Sequence, residues 1–278
     1  MPKWYEESEM KKLFCVLLLV LIVVSVSADR NLVQEGMIEK TVLFFNPGGG
    51  MNFESWIGSG VIVSDDGYII TNRHVVGYYL KQGAKDPETG LYIYTLEGNP
   101  RRLQVYHADW GYGGCRIVAV SNDPNKDLAI VKIETIKDLP FAEIAVIKNM
   151  YPGDDVYSVG HPYGINWTLT KGVISNFLET EDHSKWILHD SSINPGNSGG
   201  PLYDKFGRVI GINFAAIPPF QAENMAVAVD ARVVKAFIEL AVAFDVERMG
   251  VMTEASFEKG WGIIRQNGYS YYPDRNLK

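Results

Sequence analysis

From Glu39 onward the chain is cut into short runs of β-branched, aromatic and other apolar residues, separated by Gly, Pro, Asn and Asp. No other feature constrains the fold as much. The runs are TVLFF (41–45), IGSGVIV (57–63), GYII (67–70), LYIYTL (91–96), RIVAV (116–120), LAIVKI (128–133), VYSV (156–159), WTLTKGVIS (167–175), KWILHD (185–190), RVIGINF (208–214) and MAVAV (225–229). Ser64-Asp65-Asp66-Gly67 reads as a hairpin turn. Short strands at this spacing, with almost no helical periodicity between them, predict antiparallel barrels or sandwiches rather than an α/β sheet. One helix is predicted, over about 231–244. Asp230 caps it, and Val233, Val234, Phe237, Ile238, Leu240 and Ala241 form an apolar side at spacings of three and four. Further on, Asn267-Gly268 between two short apolar runs predicts a terminal hairpin, with Trp261, Tyr269, Tyr271 and Tyr272 as packing residues.

With 46% apolar residues in 278, the chain can bury a full core. Its net charge of -7 argues against nucleic acid or anionic lipid as the main partner. The amino terminus has a different character. Lys11 and Lys12 precede an apolar run from Leu13 to Val26, followed by the small residues Ser27 and Ala28. That layout predicts either a cleaved secretory signal or an uncleaved membrane tether through residues 13–28, and both place the remainder outside the cytoplasm, periplasmic or extracellular. The division is then 1–29 as signal or anchor, 30–243 as the main domain, and 244–278 as a short extension. Of the two cysteines, Cys15 lies in the apolar run and Cys115 in the globular part. No disulfide framework is expected, and Cys115 reads as a small buried apolar residue.

The chemistry centres on Ile193-Asn194-Pro195-Gly196-Asn197-Ser198-Gly199-Gly200-Pro201. A serine among so many glycines sits where the chain can turn sharply and a substrate carbonyl can approach main-chain amides. Such a serine needs a base, and the base needs a carboxylate to hold its tautomer. All five histidines, His74, His107, His161, His183 and His189, precede Ser198, which excludes the α/β-hydrolase order with its histidine after the serine. His74 stands out because it lies just past the end of a strand, with Val75 and Val76 anchoring the turn. His161, in VGHPYG, reads as structural. Asp127 opens the apolar LAIVKI run, where a buried carboxylate has to be paired; Asp123, beside Pro124, reads as a turn residue. No histidine spacing suits a metal, and no cofactor is expected.

TNRHVV, SNDPNKDLAIVKI and HDSSINPGNSGGPLYDKFGRVIGIN together resemble the trypsin-like serine proteases, specifically the HtrA (Deg-type) branch, over roughly residues 37–243. The resemblance implies an all-β fold of two six-stranded antiparallel β-barrels with the active site between them. It implies His74 as general base, Asp127 as its orienter and Ser198 as nucleophile. The oxyanion hole falls on the 196–198 loop, Gly196, Asn197 and Ser198, with the amides of Gly196 and Ser198 as donors. The wall of the substrate pocket falls on Ser191, Ser192 and Ile193, on Asn213, Phe214 and Ala215, and on Ala226 and Ala228. No acid stands at the pocket base unless Asp190 turns inward, so a small-to-medium aliphatic side chain is expected there.

Two departures accompany the resemblance. Only about 35 residues follow the helix, too few for the PDZ domain usual in the family. The stretch between His74 and Asp127 is long and aromatic-rich at 77–115, which is read as an extended hairpin ahead of a lid or an oligomer contact. The resemblance also brings the expectation of a homotrimer through the amino-terminal segment, with which residues 30–40 are compatible. The expected function is a serine endopeptidase acting on unfolded or flexible polypeptides. A processing protease with a single substrate, of viral or phage type, and a catalytically silent fold used for binding remain as alternatives.

Overall fold

The computed structural model describes residues 12, 32–45, 56–85, 92–96, 103–121, 123, 125–133, 138–145, 149–165, 167–179, 185–214, 225–247, 262–264 and 270–271. The apolar run at 13–28, His183 and Ala215 lie outside the described residues. Among those described, no helix is long and apolar enough to cross a membrane.

A short helix, α1 (32–39), leads into the first barrel. The barrel is built from β1 (Thr41–Phe45), β2 (Trp56–Ile62) and β3 (Tyr68–Asn72). A pair, β4 (Leu80–Lys85) and β5 (Tyr92–Leu96), forms its own two-stranded sheet, after which β6 (Gln104–His107), β7 (Gly111–Val120) and β8 (Leu128–Ile133) complete the barrel. The ring closes because β7 pairs with β8 as well as with β6. The second barrel is β9 (Asp155–Gly160), β10 (Thr168–Glu179), β11 (Lys185–His189), β12 (Pro201–Asp204), β13 (Val209–Phe214) and β14 (Ala226–Asp230), closed in the order β10-β11-β14-β13-β12-β9. Helix α2 (Ala231–Glu247) follows, and β15 (Gly262–Ile264) pairs with β7 and with β16 (Ser270–Tyr271). The two six-stranded antiparallel barrels and the helix after them agree with the fold expected from the sequence.

Period-two alternation explains why the barrel strands read as continuous apolar runs. Along β8, Ala129, Val131 and Ile133 fill the first barrel, whereas Leu128 and Ile130 face the other way into a cluster shared with the second. On β11, Ile187 lies inside the second barrel, and Trp186 and Leu188 join the same shared cluster. Both faces are largely buried, so both are mostly apolar, and the polar residues Lys132, Lys185 and His189 stand at or near the strand ends. Met37 of α1 and Val234, Phe237 and Ala241 of α2 seal this inter-barrel core. Asp230 starts α2 by accepting the Arg232 N–H at 2.8 Å.

One turn beyond Ala241, the helical repeat delivers Asp245 to the first barrel. Its carboxylate accepts two hydrogen bonds from Arg116, at 2.8 and 2.6 Å, and one from the Tyr68 hydroxyl at 2.8 Å. Burial pushes the Asp245 carboxyl upward, but the Arg116 and Tyr68 hydrogen bonds and the Arg116 charge outweigh it and hold the group below its ordinary value. A depressed carboxylate contributes stability above its unfolded value, and the contribution is lost as pH falls through the folded one. Asp245→Asn is therefore expected to destabilise the chain by about 3–5 kcal/mol near neutrality, as removal of one partner from a buried pair does. The gap in melting temperature between variant and wild type should narrow below about pH 4. A gap that does not change with pH would show that the Asp245 charge contributes nothing.

Candidate active site

His74 begins a tight 3-10 turn directly after β3, and Val75 and Val76 are buried beneath it. Asp127 sits opposite, because β3 and β8 pair with Asn72 against Leu128. Several groups converge on Asp127, the Arg73 guanidinium among them with its Nε 3.8 Å from Oδ1. Its carbonyl accepts the Arg73 N–H at 2.9 Å and the Asn72 side-chain amide at 3.0 Å. Its carboxylate accepts the His74 backbone N–H at 3.2 Å and meets His74 Nδ1 at 2.5 Å. A carboxylate only accepts, so Nδ1 carries the proton and Nε2 of the neutral ring holds the lone pair. The His74 side chain is 47% exposed and that of Asp127 10%, so the pair is anchored at one end and open at the other.

Ser198 arrives from the second barrel on a loop of two consecutive turns, in which Asn197 N–H donates to Asn194 O at 2.9 Å and Gly200 N–H to Asn197 O at 3.0 Å. Gly199 N–H bonds Asn213 O at 2.8 Å, tying the loop to β13. Two positions require glycine. Gly196 has φ +105°, and any Cβ there would collide with the His161 carbonyl; Gly199 has φ +82°, and a Cβ would collide with Thr71 Oγ1 and Ser59 O. The loop is seated against the histidine side of the cleft. A Cβ on Gly58 would lie 2.6 Å from Val75 Cγ2 and 2.9 Å from Ser198 O, so His74's own turn and the Ser198 backbone flank the same glycine.

The loop also fixes the direction of its amides. Pro195 O accepts the Tyr163 N–H at 2.8 Å. In a trans peptide the N–H points opposite to the C=O, so Gly196 N–H turns away from Tyr163. Asn197 O is held by Gly200, which turns Ser198 N–H away from the turn in the same manner. The Asn197 amide itself donates to Asn194, so its hydrogen is used inside the turn and Asn197 belongs to the loop without being one of the two donors expected there.

The residues expected at the pocket are only partly brought together. His189 of β11 pairs with Ala226 of β14, and Asn213 of β13 pairs with Ala228. Ser191 is buried, its hydroxyl 2.7 Å from both Ser158 Oγ and His189 Nδ1; Ser192 is exposed and Ile193 half-buried. The Phe214 ring packs edge-on against Trp186 in the inter-barrel core, at 6.1 Å between centroids, and is committed there rather than to a pocket. Asp190 is exposed, and its carboxylate accepts the Val173 N–H at 2.6 Å, so the acid is turned toward β10. Cys115 is buried in the first barrel, where burial pushes its thiol up.

Ser59 was not singled out from the sequence, whereas His161 was read there as structural and His189 was weighed among the five histidines. Ser59, His161 and His189 are all buried and hydrogen-bonded around the Ser198 loop. The one sequence cue to Ser59 is its place between two glycines in Gly58-Ser59-Gly60.

Two closed six-stranded barrels, a His–Asp pair on one and a glycine-bound serine on the other, define the trypsin-like class. Residues 58–212 match the family described as the trypsin-like peptidase domain, and the chain belongs to that family. It is 36% identical over 162 residues to a probable periplasmic serine endoprotease DegP-like of Marinomonas sp., covering 57% of this chain and 29% of that protein. The DegP-like protein of Pseudomonas fulva is 34% identical over 227 residues, covering 79% and 40% respectively. Among solved structures, the serine endoprotease from Yersinia pestis aligns with a TM-score of 0.57 at 26% identity, over 77% of this chain and 66% of that one. An HtrA-type protease solved with a tripeptide gives the same TM-score and identity over 73% and 60%. The chain thus spans well under half the length of these two DegP-like relatives.

Burial pushes His161 down to about 3 and His189 down to about 4, from an ordinary 6.5. Both folded values lie below the unfolded one. The unfolded chain therefore binds more protons between about pH 4 and 6.5, and stability falls as pH is lowered through that window. His161→Asn and His189→Gln are each expected to flatten the stability-versus-pH slope near pH 5 by about 1.4 kcal/mol per pH unit. Urea unfolding at several pH values measures it, and unchanged slopes would refute the buried neutral state.

Proposed function

We propose that this chain is a serine endopeptidase that cleaves polypeptides through an acyl-enzyme on Ser198. The observation carrying the reading is the 2.5 Å contact between His74 Nδ1 and the Asp127 carboxylate, opposite a serine loop seated on the same cleft. In this reading Nε2 of His74 takes the Ser198 hydroxyl proton as Oγ attacks the substrate carbonyl. The developing oxyanion is received by the Gly196 and Ser198 amides. His74 then hands the proton to the leaving amine, and water, activated by the same imidazole, releases the acyl group. Asp127 holds the tautomer and stabilises the imidazolium. No metal or organic cofactor enters any step.

Ser191, Ser192, Ile193, Asn213 and Ala226 supply the pocket wall in this proposal. With Asp190 turned toward β10, the pocket favours a small-to-medium aliphatic side chain on the acyl side of the cut bond. The substrates are unfolded or flexible polypeptides. The relatives named as periplasmic support export, with residues 13–28 as signal or tether, and assembly as a homotrimer belongs to the same proposal.

The test is reaction of the purified chain with a fluorophosphonate probe, read by intact mass, followed by cleavage of unfolded casein. Labelling confined to Ser198, and loss of about five to six orders of magnitude in kcat for Ser198→Ala, are the expected results. Cleavage should also fall on acidification, because a protonated His74 cannot accept the serine proton. A folded chain that neither labels nor cleaves, even with casein present, would instead be a binding module.

A further inference from the structure

Ser59 lies on β2 of the first barrel, fully buried, and its N–H and hydroxyl are both engaged with the serine loop of the second. Its N–H donates to Ser198 O at 2.8 Å. Its carbonyl accepts the Thr71 hydroxyl at 2.7 Å. Its hydroxyl donates to Gly196 O at 2.7 Å and accepts the His161 backbone N–H at 3.1 Å, with His161 Nδ1 a further 3.0 Å contact.

Proton accounting makes this arrangement directional. The hydroxyl has one hydrogen; Gly196 O can only accept, and the His161 amide can only donate. The hydrogen therefore goes to Gly196 O, which leaves Nδ1 of His161 as the donor to Ser59 Oγ. An unprotonated Nδ1 would compete with Gly196 for that single hydrogen. The His161 segment acts on the loop a second time, because the turn closed by Gly164 N–H onto His161 O at 3.0 Å presents the Tyr163 N–H to Pro195 O. The carbonyls of Pro195, Gly196 and Ser198 are all held from outside the loop: the Pro195 bond directs the Gly196 amide, and the two Ser59 bonds fix the peptides on either side of the one that carries the Ser198 amide.

We infer that Ser59 and His161 are positioning residues, a clasp across the two barrels that sets the serine loop in the conformation whose amides receive the oxyanion. The inference rests on the peptidase reading above. It makes a specific demand on His161: what matters is an N–H at the Nδ1 position, not an imidazole. Asparagine supplies one, since its Nδ2 hangs on Cγ as Nδ1 does in histidine.

The experiment compares kcat and KM of the full chain on a peptide substrate, together with inhibition by a peptide boronic acid that forms a tetrahedral adduct on the serine. Ser59→Ala should lower kcat by about 10- to 100-fold, somewhat less than loss of an oxyanion donor itself. KM should stay within about threefold, and boronate affinity should weaken in step with kcat/KM. His161→Leu should behave as Ser59→Ala does, and His161→Asn should keep kcat within about threefold of wild type, because the donor is restored. An active wild type with an equally active Ser59→Ala, or a His161→Asn that falls as far as His161→Leu, would overturn the inference. If Ser59→Ala fails to fold, the two His161 variants decide. A wild type that neither labels nor cleaves would remove the peptidase reading itself, a separate outcome.

Discussion

Packing of one barrel against the other is the constraint on which this site depends. His74 and Asp127 belong to the first barrel and Ser198 to the second, and proton transfer tolerates errors of only a fraction of an ångström. Apolar burial alone cannot hold such a register, because it is nondirectional. The inter-barrel cluster of Tyr68, Ile70, Trp186, Phe214 and Phe237 supplies cohesion, and directional bonds supply the register. Ser59 N–H to Ser198 O is one. Trp186 Nε1–H to Asn125 O, at 3.0 Å, is another, tying β11 to the loop that carries Asp127. The Asp245 clamp onto Arg116 and Tyr68 is a third, reaching from the helix after the second barrel back to the first.

Asp127 illustrates how local strain is tolerated when the surroundings over-determine it. Its φ of +39° lies in the left-handed region, where a non-glycine residue costs of order 1 kcal/mol or more. Aspartate is among the side chains that visit the region most readily. Here the Asn72, Arg73 and His74 groups bond its carbonyl and carboxylate together. The twist turns the carboxylate back toward the histidine while β8 continues in register from Leu128. Orientation of the imidazole is thus decided largely by main-chain bonds at the end of a paired strand, a rigid place to build from.

Much of this was legible from the residues. β1 and β8 have the bounds that TVLFF and LAIVKI predict, because both are short, mostly apolar runs flanked by polar residues. β4, β6 and β12 were not anticipated. LKQGAK has little apolar content, QVYH is four residues long, and PLYD begins with a proline, which fits the first position of a strand but reads as a breaker. The Ser59–Gly196, Ser59–His161 and Tyr68–Asp245 bonds join residues 137, 102 and 177 positions apart. Such contacts leave no periodic trace. Ser59 and Asp245 look like ordinary polar residues until topology closes around them.

Burial separates the histidines by what each can do. The sequence contains five, and His161 bonds Ser59, which holds the serine loop, so closeness to the loop alone does not select the base. His107, His161 and His189 are fully buried, whereas the His74 ring is about half exposed. A base has to offer its lone pair to a substrate-facing hydroxyl and then pass the proton on. The Nε2 atoms of His161 and His189 are sealed from solvent, and neither makes a hydrogen bond among the described residues. Protonating either would put an uncompensated charge in a core, which burial resists. Protonating His74 creates a charge that already faces a carboxylate. That asymmetry is what the proposed role of His74 as base requires, while a buried imidazole that keeps its proton suits the clasp proposed for His161.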